Sequence, residues 1–190
     1  MRDTVYVFAR APRLGTVKRR LGRAIGARAA LACHRALLAQ TLRRLGRDRR
    51  FATVLAVTPD RAQGPWMRGL PRVGQGRGDL GARMARLVRR HPRGRVAIVG
   101  CDIPDLGAAD VAGAFRRLGT AQAAFGPAED GGYWLVALGP RRPVHPFAAV
   151  RWSGPHALAD TLCHFAGRPV ALLRRLRDVD TAADWRAWRC

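Results

Sequence analysis

Short apolar runs alternate along the chain with longer stretches in which apolar positions recur at helical spacing. The runs are rich in β-forming residues and predict buried strands. They cover residues 4–9, 52–58, 95–102, 121–128, 133–138 and 169–173. Between the first two runs, Leu38, Leu42 and Leu45 share one face of a helix that is predicted over 26–46. Strands that alternate with helices indicate an α/β fold with a mostly parallel sheet.

Further helices are predicted from apolar faces and from residues that favour helix ends. One follows the glycine-rich segment 74–81, and another ends at Gly119. We expect Ser153 to cap a third helix, and Thr181 with Asp184 resembles a capping box for a last short helix. Because no linker or repeat interrupts this pattern, residues 1–190 are expected to form a single domain.

The composition is that of a globular protein. Apolar residues make up 48% of the 190 residues, which excludes a mainly disordered chain. No apolar run is long enough for a membrane span, and the N-terminus has no signal-peptide pattern, so a cytoplasmic protein is expected. The four cysteines are far apart and lack zinc-site spacing. We expect three half-buried thiols and one tail thiol, Cys190.

The formal net charge of +22 is unusual for this size. Lys18 is the sole lysine among 35 basic residues, and Glu129 is the sole glutamate. One interpretation is a non-catalytic module that binds nucleic acid or another polyanion. We favour the other, an arginine-rich surface, because the arginines are scattered and are not interleaved with aromatic residues. Nonspecific affinity for nucleic acid at low salt is still expected.

The first candidate for chemistry is the loop after the first strand. Gly15 allows a ligand to approach the backbone closely, and Lys18, Arg19 and Arg20 add positive charge suited to a phosphate. The loop is not a Walker motif. Solvated charge is the alternative, but the position of the only lysine argues for a functional demand on a compact ammonium group.

Carboxylates after later strands are candidate metal ligands. Asp102 directly follows an apolar strand, where Mg²⁺ or Mn²⁺ would compensate its charge, whereas Asp105 is expected to cap a helix. Asp178 and Asp180 are two residues apart, so an extended segment would bring them to one face. That spacing could supply a second carboxylate to the metal.

Two further segments have open alternatives. Glu129 and Asp130 precede two glycines, so they form either a tight turn between strands or an acceptor site with a general base. The segment 74–81 has alternating glycines that would admit a ring or a phosphate, but it lacks a dinucleotide fingerprint, and without other evidence it is interpreted as a loop.

Six segments together resemble a bacterial transferase family. In chain order they are FARAPRLGTVKRRL, QGRGDLGARM, GCDIPDL, GPAEDGGYWL, RWS and RDVDTAAD. Over nearly the whole chain, the sequence resembles the glycosyltransferase-A-fold (GT-A) transferases associated with radical-SAM and selenodomain proteins. At longer range it is similar to molybdenum-cofactor and phospholactate guanylyltransferases. This resemblance implies a three-layer, Rossmann-like nucleotide-diphospho-sugar transferase domain.

The resemblance also implies roles for individual residues. Phosphate contacts would come from Arg10, Gly15, Lys18 and Arg20, and contacts near the base from Gln75, Gly76 and Gly78. The acceptor side would be lined by Glu129, Asp130 and Gly131, and the metal would be held by Asp102 and Asp180. In this sequence Arg19 stands where the family usually has threonine between lysine and arginine, so a hydroxyl is replaced by a cation.

The resulting hypothesis is a transferase that depends on Mg²⁺ or Mn²⁺ and uses a nucleotide-sugar or a nucleoside triphosphate as donor. Lys18 would stabilise charge in the transition state, and Glu129 or Asp130 would deprotonate an acceptor hydroxyl. Glycosyl transfer is slightly preferred to nucleotidyl transfer of the guanylyltransferase kind. The polyanion-binding module is the alternative from another functional class.

Overall fold

The apolar runs form the strands of one seven-stranded sheet, described in a computed structural model that covers residues 2–67 and 69–189. The strands are β1 Thr4–Arg10, β2 Ala52–Thr58, β3 Arg72–Gly74, β4 Val96–Val99, β5 Ala123–Pro127, β6 Tyr133–Leu138 and β7 Val170–Leu172. The helices are α1 Arg19–Ile25, α2 Ala27–Gly46, α3 Leu80–Val88, α4 Ala108–Arg117, α5 Ala157–Cys163 and α6 Ala182–Arg189.

The sheet has the strand order β3-β2-β1-β4-β6-β5-β7. Only β6 is antiparallel to its neighbours, β4 and β5, so the predicted mostly parallel sheet is confirmed. Every residue of β4 is buried because helices cover both faces of the sheet. Helices α2 and α4 pack on one face around Leu38, Leu42 and Phe115, and α3 and α5 pack on the other around Met84 and Phe165.

The order of the strands places a crevice beside β1. The chain moves outward from β1 to β2 and β3, and then returns with β4 on the other side of β1. Because β1 is parallel to both β2 and β4, the loops that follow these strands meet at one edge of the sheet. The segment 178–180 joins this edge, since the Val179 amide donates to the Asp102 carbonyl over 3.0 Å. Ligands bind at such a switch point in open α/β sheets.

Several local expectations are corrected. Residues 19–22, expected to be part of the loop after the first strand, belong to α1. Ser153 does not cap α5, because that helix begins at Ala157 after His156. Asp105 does not cap α4 either, since the cap position is Gly107. The Thr181–Asp184 capping box is present, with the Thr181 amide donating to the Asp184 carboxylate over 2.7 Å.

The thiols also differ from the expectation of half-burial. Cys33 and Cys101 are buried and Cys163 is exposed, while Cys190 lies outside the described residues. Burial raises the pKa of Cys101 to about 12, so this thiol stays protonated at neutral pH. Among the described residues, no helix combines the length and apolar character needed to cross a membrane.

Candidate active site

A cleft of about 680 Å³ lies where the loops after β1 and β4 meet. Its walls carry four cationic side chains and two carboxylates. The lining residues include Arg10, Thr16, Lys18, Arg19, Arg20, His34, Cys101, Asp102, Ser153 and Asp180. The cleft therefore combines opposite charges at the end of the sheet where a ligand is expected.

Lys18 lies at the floor of this cleft with a fixed backbone. It is the N-cap residue of α1 and adopts a left-handed conformation with φ 47°. The Gly22 amide donates to the Lys18 carbonyl over 2.8 Å, which ties the backbone to the first turn of the helix. Its side chain, only 6% exposed, donates from Nζ to Asp102 Oδ2 over 2.8 Å and to Asp180 Oδ1 over 2.6 Å.

Three carboxylates converge at this point, and the ammonium group contacts two of them. Asp102, Asp178 and Asp180 each offer an oxygen, and these oxygens lie within 4.8 Å of one another. Gly100 leaves room for Asp102 after β4, because a Cβ at this position would lie 3.0 Å from Asp102 Oδ1. Asp180 is positioned by α6, since its amide donates to the Asp184 carboxylate over 3.1 Å.

The charges in the cluster shift one another's pKa values. Burial of Lys18 disfavours its charged form, but Asp102 and Asp180 outweigh that effect and raise the pKa of Lys18 above its ordinary value. Burial, followed by the negative charges of Asp180, Asp102 and Asp130, raises the pKa of Asp178 to about 6. The cluster thus holds more negative charge than Lys18 alone neutralises.

The donor set fits a hard divalent cation. Mg²⁺ and Mn²⁺ prefer carboxylate oxygens, commonly one or two from the protein together with substrate phosphates. Asp102 and Asp180 are 34% and 44% exposed, so both face the cleft in which a phosphate would lie. No cysteine or histidine belongs to this group of converging ligands among the described residues, which disfavours a zinc site.

Three arginines surround the entrance of the cleft. Arg10, Arg19 and Arg20 are exposed. Within residues 2–67 and 69–189, none of their guanidinium groups has a hydrogen-bond or ion-pair partner. By contrast, Arg50, Arg95, Arg151, Arg174 and Arg177 are paired with carboxylates. The free donors at the cleft are suited to an anionic ligand such as a polyphosphate.

The residues predicted to contact the nucleotide base do not line the cleft. Gln75 is buried, and its amide Nε2 donates to the carbonyls of Ala9 and Ala56, so its NH₂ group is engaged by the sheet. Gly76 has φ +79°, and a Cβ there would lie 2.4 Å from the Arg86 guanidinium. Gly15 and Gly78 also have positive φ and lie outside the lining.

The residues predicted for the acceptor side belong to the turn between β5 and β6. The Asp130 carboxylate accepts from the Gly132 amide over 2.9 Å, and Glu129 lies 3.5 Å from Arg177. Gly131 has φ +85°, and a Cβ there would lie 2.3 Å from the Pro155 carbonyl oxygen. None of the three lines the cleft, although the negative charge of Asp130 acts on Asp178 in the carboxylate cluster.

Asp178, which its spacing of two from Asp180 made a candidate metal ligand, completes the carboxylate cluster. Two residues of the cleft lining, His34 and Ser153, were not predicted as site residues. His34 comes from α2, where Nε2 lies 2.9 Å from the Arg10 carbonyl, and burial lowers its pKa and favours the neutral ring. Ser153 reaches the cleft from a backbone with φ 65°. Nothing in the sequence pattern around His34 or Ser153 indicates these positions.

Comparisons with known proteins agree with the fold. A family model described as "Uncharacterized protein conserved in bacteria (DUF2064)" matches residues 41–154. No curated protein matches the sequence. The crystal structure of a "putative nucleotide-diphospho-sugar transferase" from Desulfovibrio desulfuricans G20 is 28% identical, with a TM-score of 0.87, and the match covers 96% of this chain and 84% of that one.

Two more distant structures share the fold. Rv0371c from Mycobacterium tuberculosis H37Rv, in complex with manganese, is 20% identical with a TM-score of 0.58, and the match covers 99% of this chain and 98% of that one. CMP:2-keto-3-deoxy-manno-octonic acid synthetase complexed with CTP is 11% identical with a TM-score of 0.61. That match covers 100% of this chain and 97% of the synthetase. At these identities the two likenesses show the α/β fold alone.

Proposed function

The chain belongs to the DUF2064 family of bacterial proteins, and on that premise we propose that it is a divalent-metal-dependent transferase acting on a nucleotide-activated donor. The observation that carries the proposal is the meeting of Lys18, Asp102 and Asp180 at the floor of one cleft. The three residues come from distant parts of the chain, and the fold alone does not require a buried lysine there.

Asp102 and Asp180 would hold the metal, with Asp178 within reach as a third carboxylate. When bound, a divalent cation would neutralise phosphate oxygens and stabilise the charge of the leaving group. The unpaired guanidinium groups of Arg10 and Arg20 would bind and orient the phosphates. Lys18 would place its ammonium group against the charge that develops in the transition state.

Charge favours a triphosphate donor and hence nucleotidyl transfer. With one divalent cation, the cationic side chains of the cleft and the three carboxylates leave a net charge of about +3, which suits a triphosphate better than a diphosphate. In this reaction a deprotonated, anionic acceptor oxygen forms a bond to the α-phosphorus. The bond from that phosphorus to the bridging oxygen breaks, and pyrophosphate leaves with the electron pair. The CTP bound by the synthetase of the same fold is consistent with such a donor.

Glycosyl transfer is the second candidate, because the relative from Desulfovibrio desulfuricans is named for nucleotide-diphospho-sugars. A hydroxyl acceptor would need a base in this reaction as in nucleotidyl transfer, and Glu129 and Asp130 are the predicted candidates for that base. Neither residue lines the cleft, the Asp130 carboxylate accepts from the Gly132 amide, and Glu129 lies 3.5 Å from Arg177, which weakens the predicted role of either residue as the base.

Calorimetric titration with nucleoside triphosphates and nucleotide-sugars, each with Mg²⁺ or with EDTA, tests the proposal. Saturable binding of one donor is expected only with the metal, and Asp102→Asn should abolish it. Asp105→Asn is the matched control, because Asp105 is an exposed carboxylate of the same loop outside the cleft. Metal-independent binding, or equal binding by Asp102→Asn, would contradict the proposed function.

The same titrations separate the two donors. A triphosphate is expected to bind at least about tenfold more tightly than the nucleotide-sugar of the same base, and Arg19→Met should reduce that preference. A nucleotide-sugar that binds more tightly than its triphosphate would favour glycosyl transfer instead.

A further inference from the structure

The ammonium group of Lys18 occupies the position between two carboxylates where a bridging cation would lie. Nζ is 2.8 Å from Asp102 Oδ2 and 2.6 Å from Asp180 Oδ1, and the side chain is almost completely buried. Oxygens engaged this closely by one cation are not free to bind a second at full strength. Two cations that shared these oxygens would also lie close enough to repel each other strongly.

The backbone around Lys18 is fixed, whereas its side chain is able to turn. The Lys18 carbonyl accepts the first helical bond of α1, so the main chain stays in place when the side chain moves. Four methylene groups give the ammonium a range of positions, and its charge needs no particular planar geometry. An arginine fork would not give the same freedom, which accounts for a lysine here in a chain whose other basic residues are arginine.

A phosphate in the cleft offers the ammonium another partner. The unpaired Arg10, Arg19 and Arg20 would hold a polyphosphate over the same floor, so its oxygens would come within reach of Lys18. Transfer of Nζ from the carboxylates to a phosphate would free Asp102 and Asp180 for the metal. The metal and the phosphate would then each favour binding of the other, because binding free energies are linked reciprocally.

We infer that Lys18 is a specificity-determining residue, which occupies the cation position in the free protein and yields it to a divalent metal accompanied by a phosphate. The inference rests on the proposed function, because it assumes that Asp102 and Asp180 are metal ligands. Free metal binds weakly, and metal with phosphate binds strongly. The site therefore selects a metal–nucleotide complex over the bare ion.

Binding of Mn²⁺ measured by the EPR signal of the free ion tests this without any activity assay. Wild type, Lys18→Met, Lys18→Gln and Lys18→Arg are titrated with Mn²⁺ alone and then with Mn²⁺ in the presence of inorganic pyrophosphate. Arg20→Met is the matched control, since it removes one positive charge from the same cleft but no contact with the carboxylates. A thermal unfolding curve for each variant confirms that it is folded.

Both neutral variants are expected to bind Mn²⁺ alone at least about tenfold more tightly than wild type. Lys18→Arg and Arg20→Met should change the affinity for Mn²⁺ alone by less than about threefold, and Arg20→Met serves as a control only in the absence of pyrophosphate. Pyrophosphate should tighten Mn²⁺ binding strongly in wild type and much less in the neutral variants. The inference is overturned if the neutral variants bind Mn²⁺ no more tightly than wild type. The proposed function still stands in that case if Mn²⁺ binding depends on pyrophosphate and is lost in Asp102→Asn. If none of the proteins binds Mn²⁺ under either condition, the proposed function fails with it.

Discussion

Replacement of Lys18 by methionine is expected to destabilise the metal-free protein. Methionine keeps most of the length of the side chain but removes the positive charge that contacts Asp102 and Asp180. Because Asp102 and Asp180 raise the pKa of Lys18, the attraction outweighs the cost of burying its charge. A raised lysine pKa means that this stabilisation is fully present at neutral pH and is lost only at strongly alkaline pH.

The exposure of Asp102 and Asp180 determines how much stability is lost in Lys18→Met. Breaking a fully buried pair costs about 3–5 kcal/mol, while an exposed pair contributes about 0–1 kcal/mol. Lys18 is 6% exposed, but Asp102 and Asp180 are 34% and 44% exposed, so an intermediate loss of about 2 kcal/mol is expected. For a domain of 190 residues this lowers Tm by about 4–8 °C.

Thermal unfolding in EDTA measures the effect. Arg20→Met removes the same charge without breaking a contact and should change the free energy of unfolding by less than about 0.5 kcal/mol. Added Mn²⁺ should raise the Tm of Lys18→Met more than that of wild type, because the ion replaces the missing ammonium. A Tm for Lys18→Met in EDTA equal to or above that of wild type would refute this reasoning.

Three further predictions concern the core, the acidic cluster and the surface. Gly126→Ala should lower the free energy of unfolding in urea by about 1–3 kcal/mol, because its Cβ would lie 2.2 Å from the buried Trp134 ring. Gly113→Ala, whose Cβ would have no contact closer than 3.7 Å, should be neutral or stabilising, and equal effects of the two variants would contradict this packing. In EDTA, Asp178→Asn should have a larger free energy of unfolding than wild type at pH 7.5, because the raised pKa of Asp178 means that its charged form is disfavoured in the folded state. This difference should shrink as the pH falls through about 6, and a difference that does not change with pH would contradict the prediction. Binding to double-stranded DNA should weaken steeply with salt in a filter-binding assay, and Asp102→Asn should bind as wild type does. Loss of binding in Asp102→Asn would contradict this prediction and show that the DNA binds at the cleft.

Most elements of the fold could be predicted because their signals are local. The helical spacing of Leu38, Leu42 and Leu45 predicts α2 almost to its ends, and the run at 52–58 coincides with β2. Helix α1 was missed because its seven residues include Gly22 and three arginines, with only Leu21 buried. Strand β3 has three residues at the edge of the sheet and no apolar run.

The candidate site could be predicted only in part, because its contacts join distant segments. Asp102 was indicated by its position after a strand, and Lys18 by the rarity of lysine in the chain. The structure brings both together with Asp180. Their roles in catalysis and metal binding remain predictions. Gln75 donates to the carbonyls of neighbouring strands, and Glu129 pairs with Arg177. These are tertiary contacts, which the spacing of residues along the chain does not reveal.

The central claim is that Asp102 and Asp180 bind a divalent cation together with a phosphate. The most direct test is the anomalous signal of Mn²⁺ in crystals grown with Mn²⁺ and pyrophosphate. A peak is expected about 2.0–2.6 Å from carboxylate oxygens of both residues, with Lys18 Nζ turned from them toward the phosphate. Manganese bound elsewhere, with Lys18 still between the two carboxylates, would contradict it.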